Sequence, residues 1–493
     1  MKLGDLLIYA KFESMENIPD IEIGCIETNT QEAIKKKDDN PLFVCISGTK
    51  YDTHNDIQML LEYGIKFIVA EHDLKIENIP EGAYVFYSDN TRKSLALFSR
   101  AYYGFPDKNL KIIGVTGTKG KTTVTYMLES IFKEAGIDCG VIGTNGMFYK
   151  GTYTECENTT PSAPQYYSKL RDMAKAGAEY VICEITSQSL KQSRTYGTEF
   201  EIAAFTNLYP DHIGKNEHKD FEEYMVCKGK LFECCKMAVI NDDDNNSEYF
   251  KKCCLSYTTP FVCFSTNNKS EKYFCRKQKS KHSNTVFYVN NNRFEISLPG
   301  DFNIQNALCT IAVATELGIE YSHIKKGLLS AKVYGRCERV ESPEGVNIVI
   351  DYAHNRESLE NILTALKKEC KGKLYCVFGA GGDRSKLRRC GMGEAALKYA
   401  DYSIITNDNP RSENPENIIS DILEGMNDCV DRYTVVPKRE NAINLALTLA
   451  KKGDTVLLAG KGAQNYEEIC GVKYPFDERV AVSQYYKKKY NKK

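Results

Sequence analysis

Short apolar runs alternate with segments of helical spacing along most of this chain. Runs at 42–46 and 66–70 flank a helix-patterned stretch at 57–63, which predicts a small α/β unit ending near Pro106-Asp107-Lys108. The apolar run 110–115 then leads into a segment where Val124, Met127, Leu128, Ile131 and Phe132 recur at the i, i+3, i+4, i+7, i+8 spacing of one buried helix face. Gly136 stands where its C-terminal cap belongs. Strand-like runs at 180–185, 203–207 and 237–240 follow, the last two separated by a helix over 220–235. Residues 245–285 are poor in long apolar runs and predict short antiparallel strands and loops. A helix over 303–317 precedes a boundary near Lys332. Beyond it, strand-like runs at 346–352, 373–378, 402–406, 433–436 and 455–458 alternate with helix-patterned segments. Such alternation means parallel sheets covered by helices.

The run Gly114 to Thr123 lies between a strand and a helix, the arrangement a nucleoside triphosphate site requires. Backbone N–H groups of a glycine-rich turn approach phosphate oxygens, Lys121 reaches the β- and γ-phosphates, and Thr122 holds a magnesium ion. The common pattern places a glycine where this chain has Val115, so the loop is a variant. The bland alternative is a chance Gly-Lys-Thr in a surface loop, and the flanking strand and helix argue against it. The expected fold is therefore α/β in three domains. Residues 1–108 form a small α/β domain, 109–332 a central P-loop ATPase-like parallel sheet with a small antiparallel insert, and 333–493 a Rossmann-like domain.

Composition narrows the partners. The 493 residues include 42% hydrophobic and 27% charged residues with a formal net charge of -1, without the basic excess that favours nucleic acid or an anionic membrane. Lys277, Lys279 and Lys281 then read as a solvated loop in preference to a nucleic-acid patch. The 19 cysteines include no C-x-x-C pair and read as reduced, mostly buried thiols of a cytoplasmic protein. Asp5 interrupts the short apolar start, and no later stretch is long and uncharged enough to cross a bilayer. The basic 487–493 tail reads as a frayed end.

Polar constellations fall at strand ends, where parallel α/β sheets put their ligands. Glu184 ends an apolar strand and is either a magnesium ligand or a solvent-facing carboxylate. Asp211-His212 follows Phe205-Thr206-Asn207-Leu208, and His212 is a general base or a structural histidine. Asp351, in Asp351-Tyr352-Ala353-His354, accepts from a ribose hydroxyl or caps the next helix. Arg384 after Gly381-Gly382-Asp383, and Arg411 after Asp408-Asn409-Pro410, each offer a fork for a carboxylate. Gly460-Lys461-Gly462 follows the last strand but lacks a downstream Ser or Thr at Ala463.

Taken in order, these motifs resemble the Mur ligase family, ATP-dependent enzymes that join amino acids to a carboxylate of a peptidoglycan precursor. The resemblance spans roughly residues 110–480 and includes Gly117 to Thr123, Glu184-Ile185-Thr186-Ser187, Asp211-His212, Phe302-Asn303-Ile304-Gln305-Asn306, Gly335-Arg336-Cys337-Glu338, Asp351 to His354 and Gly381 to Arg384. Asp408-Asn409-Pro410-Arg411 is similar to the MurE branch, in the form of its meso-diaminopimelate-specific members. The resemblance implies ATP bound by Gly117, Thr118, Lys119, Gly120, Lys121, Thr122 and Thr123, with Asn303, Asn306, Arg336 and Asp351 as further ATP-side residues. It implies two Mg2+ ions, with Thr122 and Glu184 at the first and His212 at the second. Lys228, modified by carbon dioxide to a carbamate, is implied as an anionic metal ligand. Thr28, Thr159, Thr160, Ser187, Gln192 and Arg194 match the UDP-muramoyl-dipeptide side, and Arg384, Asp408, Asn409, Arg411, Gly460 and Gln464 the acceptor amino-acid side. The implied catalytic set is Lys121, Lys228, His212 and Glu184, in a cytoplasmic monomer.

The chain also departs from that pattern. Glu27-Thr28-Asn29 stands where the family has Asp-Ser-Arg for the UDP moiety, Ile213-Gly214 follows His212 where an aspartate is expected, and Asn355-Arg356-Glu357 replaces Thr-Pro-Asp. Ala463-Gln464 replaces His-Glu, and the amide of Gln464 cannot pair with the distal ammonium of diaminopimelate. The sequence therefore leaves open diaminopimelate held more weakly or another amino acid with a carboxylate for Arg411. A family relative that uses a folate-like or specialised peptide carboxylate is the runner-up. A non-catalytic nucleotide sensor is disfavoured, because it has no use for Lys121, Glu184, His212 and Lys228 together.

Overall fold

The computed structural model describes residues 1–12, 18–48, 51–71, 76, 78–214, 217–277, 284–384, 386–426 and 429–491, so Lys279 and Lys281 lie outside the described residues. The chain divides into two compact units, 1–272 with 311–319, and 273–310 with 320–493.

The first unit carries two sheets. Parallel strands Cys25–Glu27, Pro41–Val44, Phe67–Glu71 and Tyr84–Ser88 form the smaller one, in that order. In the larger one, Lys111–Thr116 lies between Phe200–Phe205 and Tyr180–Glu184. Cys235–Asn241 and Phe261–Ser265 extend it in parallel on one side, and Cys139–Gly143 on the other. Antiparallel Gly146–Tyr149 and Thr152–Thr154 follow Cys139–Gly143. A parallel sheet buried on both faces needs near-continuous apolar strands. Ile112, Ile113, Val115, Val181, Ile182, Ala203 and Ala204 are accordingly all fully buried. The helix predicted after the phosphate loop runs Lys121–Glu134, its five predicted core residues have no solvent exposure, and Gly136 follows its end at φ 71°.

Three segments differ from their sequence patterns, one being the basic tail, where residues 487–490 close the helix Glu478–Tyr490 and Lys489 pairs with Glu344 at 2.6 Å, so they are not frayed. The helix expected over 220–235 is α-helical only as Phe221–Gly229, tightens to a 3-10 turn at Lys230–Glu233, and gives way to strand at Cys235. Pairing decides this, because Phe200 N–H donates to the Cys234 carbonyl at 2.8 Å and Phe200 registers with Cys235. Within 245–285, helix Ser247–Ser256 and the parallel strand Phe261–Ser265 precede any antiparallel pairing. That helix is anchored by few residues, chiefly Phe250, which stacks on Phe205 with ring centroids 3.9 Å apart, and buried Cys254. So sparse an apolar face gives little periodic signal.

The second unit opens with the antiparallel strands Tyr273–Lys277, Thr285–Val289 and Asn292–Ile296, which begin late in the 245–285 stretch expected to hold them and run past its end. Its large sheet runs in the order Glu338–Val340, Asn347–Asp351, Thr455–Ala459, Leu374–Phe378, Tyr402–Ile405, Tyr433–Val435. All its pairs are parallel except that of the first strand, and Asp351, Phe378, Ile405 and Ala459 end on one edge. A hairpin, Tyr466–Ile469 with Val472–Pro475, stands beyond the last of these strands and carried no clear sequence signal. All 19 cysteines are free thiols. Among the described residues, no helix is long and apolar enough to cross a membrane.

Candidate active site

In the first unit, the phosphate loop occupies the carboxyl end of Lys111–Thr116, and the two neighbouring strand ends brace it. Thr118 N–H donates to the Asn207 carbonyl at 2.9 Å, and Lys119 N–H to Asn207 Oδ1 at 2.9 Å. Thr206 Oγ1 donates to the Lys119 carbonyl at 2.6 Å. Gly117 sits at φ 145°, and a Cβ there would lie 2.0 Å from Thr206 Oγ1. Gly117→Ala is therefore expected to displace the loop and weaken ATP-analogue binding at least about tenfold in a fluorescence titration; unchanged affinity would remove the loop from nucleotide binding.

Glu184 is 1% exposed, which excludes the solvent-facing alternative. Its carboxylate accepts from Thr122 Oγ1 at 2.9 Å, from Thr144 Oγ1 at 2.9 Å and from Thr144 N–H at 3.0 Å. Thr122 and Glu184, far apart in sequence, thus meet as a set of hard oxygen donors of the kind magnesium prefers. Thr144 was not foreseen, since nothing but the fold brings its turn to Glu184.

Two lysines converge beside them. Lys121 Nζ donates to the Gly117 carbonyl at 2.7 Å and Lys228 Nζ to the same oxygen at 2.9 Å. Burial, and then the neighbouring Lys121 ammonium, hold Lys228 well below the usual lysine range, so its amine is biased towards neutrality. Lys228 lies 4.7 Å from the centroid of the Tyr224 ring, and the His212 ring centroid is 6.0 Å from that of the same ring. His212 itself is half-exposed at φ 55°, with Nδ1 3.2 Å from Glu217 Oε1.

The residues expected on the dipeptide side form a connected group behind Glu184. Thr160 Oγ1 donates to the Glu184 carbonyl at 2.8 Å, Arg194 Nη1 to the Thr160 carbonyl at 2.6 Å, and Arg194 Nη2 to Gln192 Oε1 at 2.7 Å. Thr159 Oγ1 is 3.2 Å from Thr144 Oγ1. Ser187 Oγ is 2.9 Å from Nε2 of His218, a fully buried histidine absent from the sequence expectations. At the smaller sheet, Glu27 pairs with Lys36 at 2.6 Å and Asn29 caps the helix Thr30–Lys35, with Thr28 between them.

In the second unit, Asn303, Asn306 and Asp351 share one buried network. Asn306 Nδ2 donates to Asn303 Oδ1 at 3.1 Å, Asn303 Nδ2 lies 3.8 Å from Cys337 Sγ, and Asp351 Oδ2 accepts from Cys337 N–H at 2.8 Å. Arg336 stacks over the Tyr352 ring at 4.5 Å. The helix cap considered for Asp351 is supplied by Asn355, which accepts from Ser358 N–H.

The residues expected on the acceptor side gather at the sheet edge of the same unit. Gly460 N–H donates to the Asp351 carbonyl at 3.0 Å, and Lys461 Nζ, fully buried, lies 3.8 Å from Asp408 Oδ1 and donates to Asn409 Oδ1 at 3.0 Å. Asn409 Nδ2 donates to Gln464 Oε1 at 2.9 Å. Arg411, at φ 51°, donates from Nη1 to the Gly382 carbonyl at 2.6 Å and pairs through Nε with Glu468 Oε2 at 3.2 Å. Arg384 is exposed, whereas Arg389, overlooked in the sequence, is 1% exposed and paired with Glu413 and Asp421.

Comparison with known proteins decides the family. Residues 115–314 match the Mur ligase middle domain, and residues 335–462 the Mur ligase glutamate ligase domain. The UDP-N-acetylmuramoyl-L-alanyl-D-glutamate--2,6-diaminopimelate ligase of Clostridium perfringens is 37% identical over 456 residues, covering 91% of this chain and 92% of that protein. The chain belongs to the Mur ligase family. The Clostridium botulinum protein of the same name is 36% identical over 474 residues, 94% of this chain and 97% of its own. A solved structure of a UDP-N-acetylmuramoyl-L-alanyl-D-glutamate--2,6-diaminopimelate ligase superposes with a TM-score of 0.69 at 27% identity, covering 99% of this chain and 100% of the other. As a member of the Mur ligases, the chain is an ATP- and magnesium-dependent ligase. Thr122 Oγ1 and the Glu184 carboxylate are hard oxygen donors that fit a magnesium ion.

Proposed function

We propose that the chain is an ATP-dependent amide ligase that adds meso-diaminopimelate to UDP-N-acetylmuramoyl-L-alanyl-D-glutamate during peptidoglycan precursor synthesis. The observation that carries the reading is the convergence of Lys121, Lys228 and Glu184 on one phosphate loop, in a chain whose nearly full-length relatives bear that ligase name. The substrate carboxylate attacks the γ-phosphorus of ATP, ADP leaves, and the resulting acyl phosphate is attacked by the neutral amine of the acceptor with release of phosphate. Lys121 holds the transferring phosphoryl group, and magnesium, when bound by Thr122, Glu184, His212 and Lys228, neutralises charge on the phosphates.

A carbamate suits Lys228 on the chemistry of its surroundings. Burial first, and then the Lys121 ammonium, bias the Lys228 amine towards its neutral, nucleophilic form, which adds carbon dioxide with release of a proton to solvent, and the anionic product relieves the repulsion with Lys121. Residues 1–108 are assigned to the UDP end of the donor and 109–332 to ATP. Residues 333–493 are assigned to the acceptor, held by Arg411, Asn409, Asp408, Gly460, Gln464 and Arg384. Thr159, Thr160, Ser187, Gln192 and Arg194 hold the dipeptide, and Asn303, Asn306, Arg336 and Asp351 the nucleoside side of ATP.

Purified protein is expected to release phosphate from ATP only when the UDP-muramoyl-dipeptide and diaminopimelate are both present. Release that needs neither substrate would overturn the reading. One observation favours a second reading, in which a folate-like or specialised peptide carboxylate is the donor. Glu27 is paired with Lys36 past the next helix and Asn29 caps that helix, which leaves Thr28 from the triplet expected to meet the uridine end. Submicromolar binding of the UDP-muramoyl-dipeptide by calorimetry would exclude it.

A further inference from the structure

The hairpin after the acceptor loop carries a charge for which the expected acceptor site has no assigned role. Tyr466–Ile469 continues directly from Gly460-Lys461-Gly462-Ala463-Gln464, and its Glu468 is tied to the acceptor residues through backbone and side chain together. Glu468 N–H donates to Asn409 Oδ1 at 3.0 Å, and the Glu468 carbonyl accepts from Arg411 N–H at 3.1 Å. The Cys470 N–H donates to the Arg411 carbonyl at 2.8 Å, which completes a strand-like bridge between the Arg411 turn and the hairpin. The side chain follows: Glu468 Oε2 is 3.2 Å from Arg411 Nε, and both side chains keep about a quarter of their surface exposed, at 28% and 25%.

Gln464 occupies a different place in the same cluster. Its Oε1 accepts from Asn409 Nδ2, and Asn409 Oδ1 in turn accepts from Lys461 Nζ and Glu468 N–H. The amide therefore orients Asn409 and contributes no net charge, while the anionic group next to Arg411 stands four residues further along the chain. An amino-acid end group presents a carboxylate and an ammonium on one carbon. Arg411 beside Glu468 is the complementary pair, a guanidinium for the carboxylate and a carboxylate for the ammonium.

We propose that Glu468 is the specificity residue of this chain for the distal ammonium of a diamino-acid acceptor, taking the charge that Gln464 lacks, with Gln464 a positioning residue for Asn409. The inference rests on the ligase reading above. Glu468 Oε2 stays with Arg411, and Oε1 accepts from the ammonium.

The test compares kcat/KM for meso-diaminopimelate with that for 2-aminopimelate, which keeps the distal carboxylate and lacks the distal ammonium. Glu468→Gln is expected to lower the preference for diaminopimelate by about tenfold or more, and adding Gln464→Glu to that variant to restore part of it. Equal losses on the two acceptors, or an unchanged preference, would overturn the proposal while leaving the ligase reading intact, since a residue that only braces Arg411 affects both alike. A wild-type protein active on neither acceptor would instead defeat the ligase reading and this inference with it. If Glu468→Gln fails to fold, Glu468→Asp keeps the charge and withdraws it by one methylene. A lowered preference in that variant supports the proposal and an unchanged one refutes it.

Discussion

Replacing Lys228 with alanine is expected to lower ligase turnover about a thousandfold, the scale of removing one preorganised charge-stabilising group. The argument starts from an electrostatic conflict. Two lysine side chains donate to a single carbonyl oxygen, that of Gly117, and one of them is completely enclosed. Keeping both protonated costs desolvation and repulsion together, so Lys228 is the one whose proton affinity falls. A lysine biased towards neutrality is a weaker phosphate-binding cation and a better nucleophile for carbon dioxide. Loading then requires the unprotonated amine. It should therefore persist below the ordinary lysine pKa and be lost as pH falls through the depressed value. Two readouts check this. Labelled bicarbonate should give a carbamate carbon resonance in the wild-type protein and none in Lys228→Ala, and short-chain carboxylic acids should restore part of the variant's turnover. Unchanged turnover in Lys228→Ala would refute the carbamate assignment.

The elements that sequence made legible are those whose signal is local. The helix Lys121–Glu134 and the five parallel strands of the second unit announce themselves through periodicity and apolar runs, and each was found close to its expected position. The Thr122–Glu184 pair was legible for another reason: each residue lies at the end of a recognisable strand or loop, and a parallel sheet brings such ends together. Contacts set by tertiary pairing were not legible. Thr144 reaches Glu184 across 40 positions, and Glu468 reaches Arg411 across 57. Thr144 stands in an Asn-Gly hairpin turn and Glu468 in a short strand, and neither local pattern names its distant partner. His218 is a similar case, since a lone histidine gives no sign in sequence that it will be buried against Ser187. Helix Ser247–Ser256 was hidden because only Phe250 and Cys254 of its apolar residues are fully buried, with Tyr249 and Cys253 half-buried beside them, and the helix expected to reach residue 235 was cut short by strand pairing that no local preference encodes.

Arg439→Ala is expected to destabilise the second unit by about 3–5 kcal/mol, the usual consequence of stripping one partner from a buried ion pair. Arg439 opens the helix Arg439–Leu449 and Glu478 the helix Glu478–Tyr490, with side-chain exposures of 1% and 0%. The guanidinium donates to Glu478 Oε1 from Nε at 2.9 Å and from Nη2 at 2.8 Å, to the Ala459 carbonyl at 2.7 Å and to the Asn407 carbonyl at 3.2 Å. The pair thus joins two helices to the roots of both loops proposed to hold the acceptor, one leading to Asp408–Arg411 and the other to Gly460–Gln464. Alanine leaves the Glu478 carboxylate enclosed without its cation, and the melting midpoint should fall by roughly 6–20 °C for a unit of this size. Removing both charges, as Arg439→Met with Glu478→Met, should cost markedly less, because the unpaired buried charge is the main penalty. A midpoint unchanged in Arg439→Ala would show that the pair does not hold the unit together. The double variant also separates charge from hydrogen bonding: if it keeps most of its stability yet no longer saturates with acceptor, the contacts to Asn407 and Ala459 are what align the two loops on the amino acid.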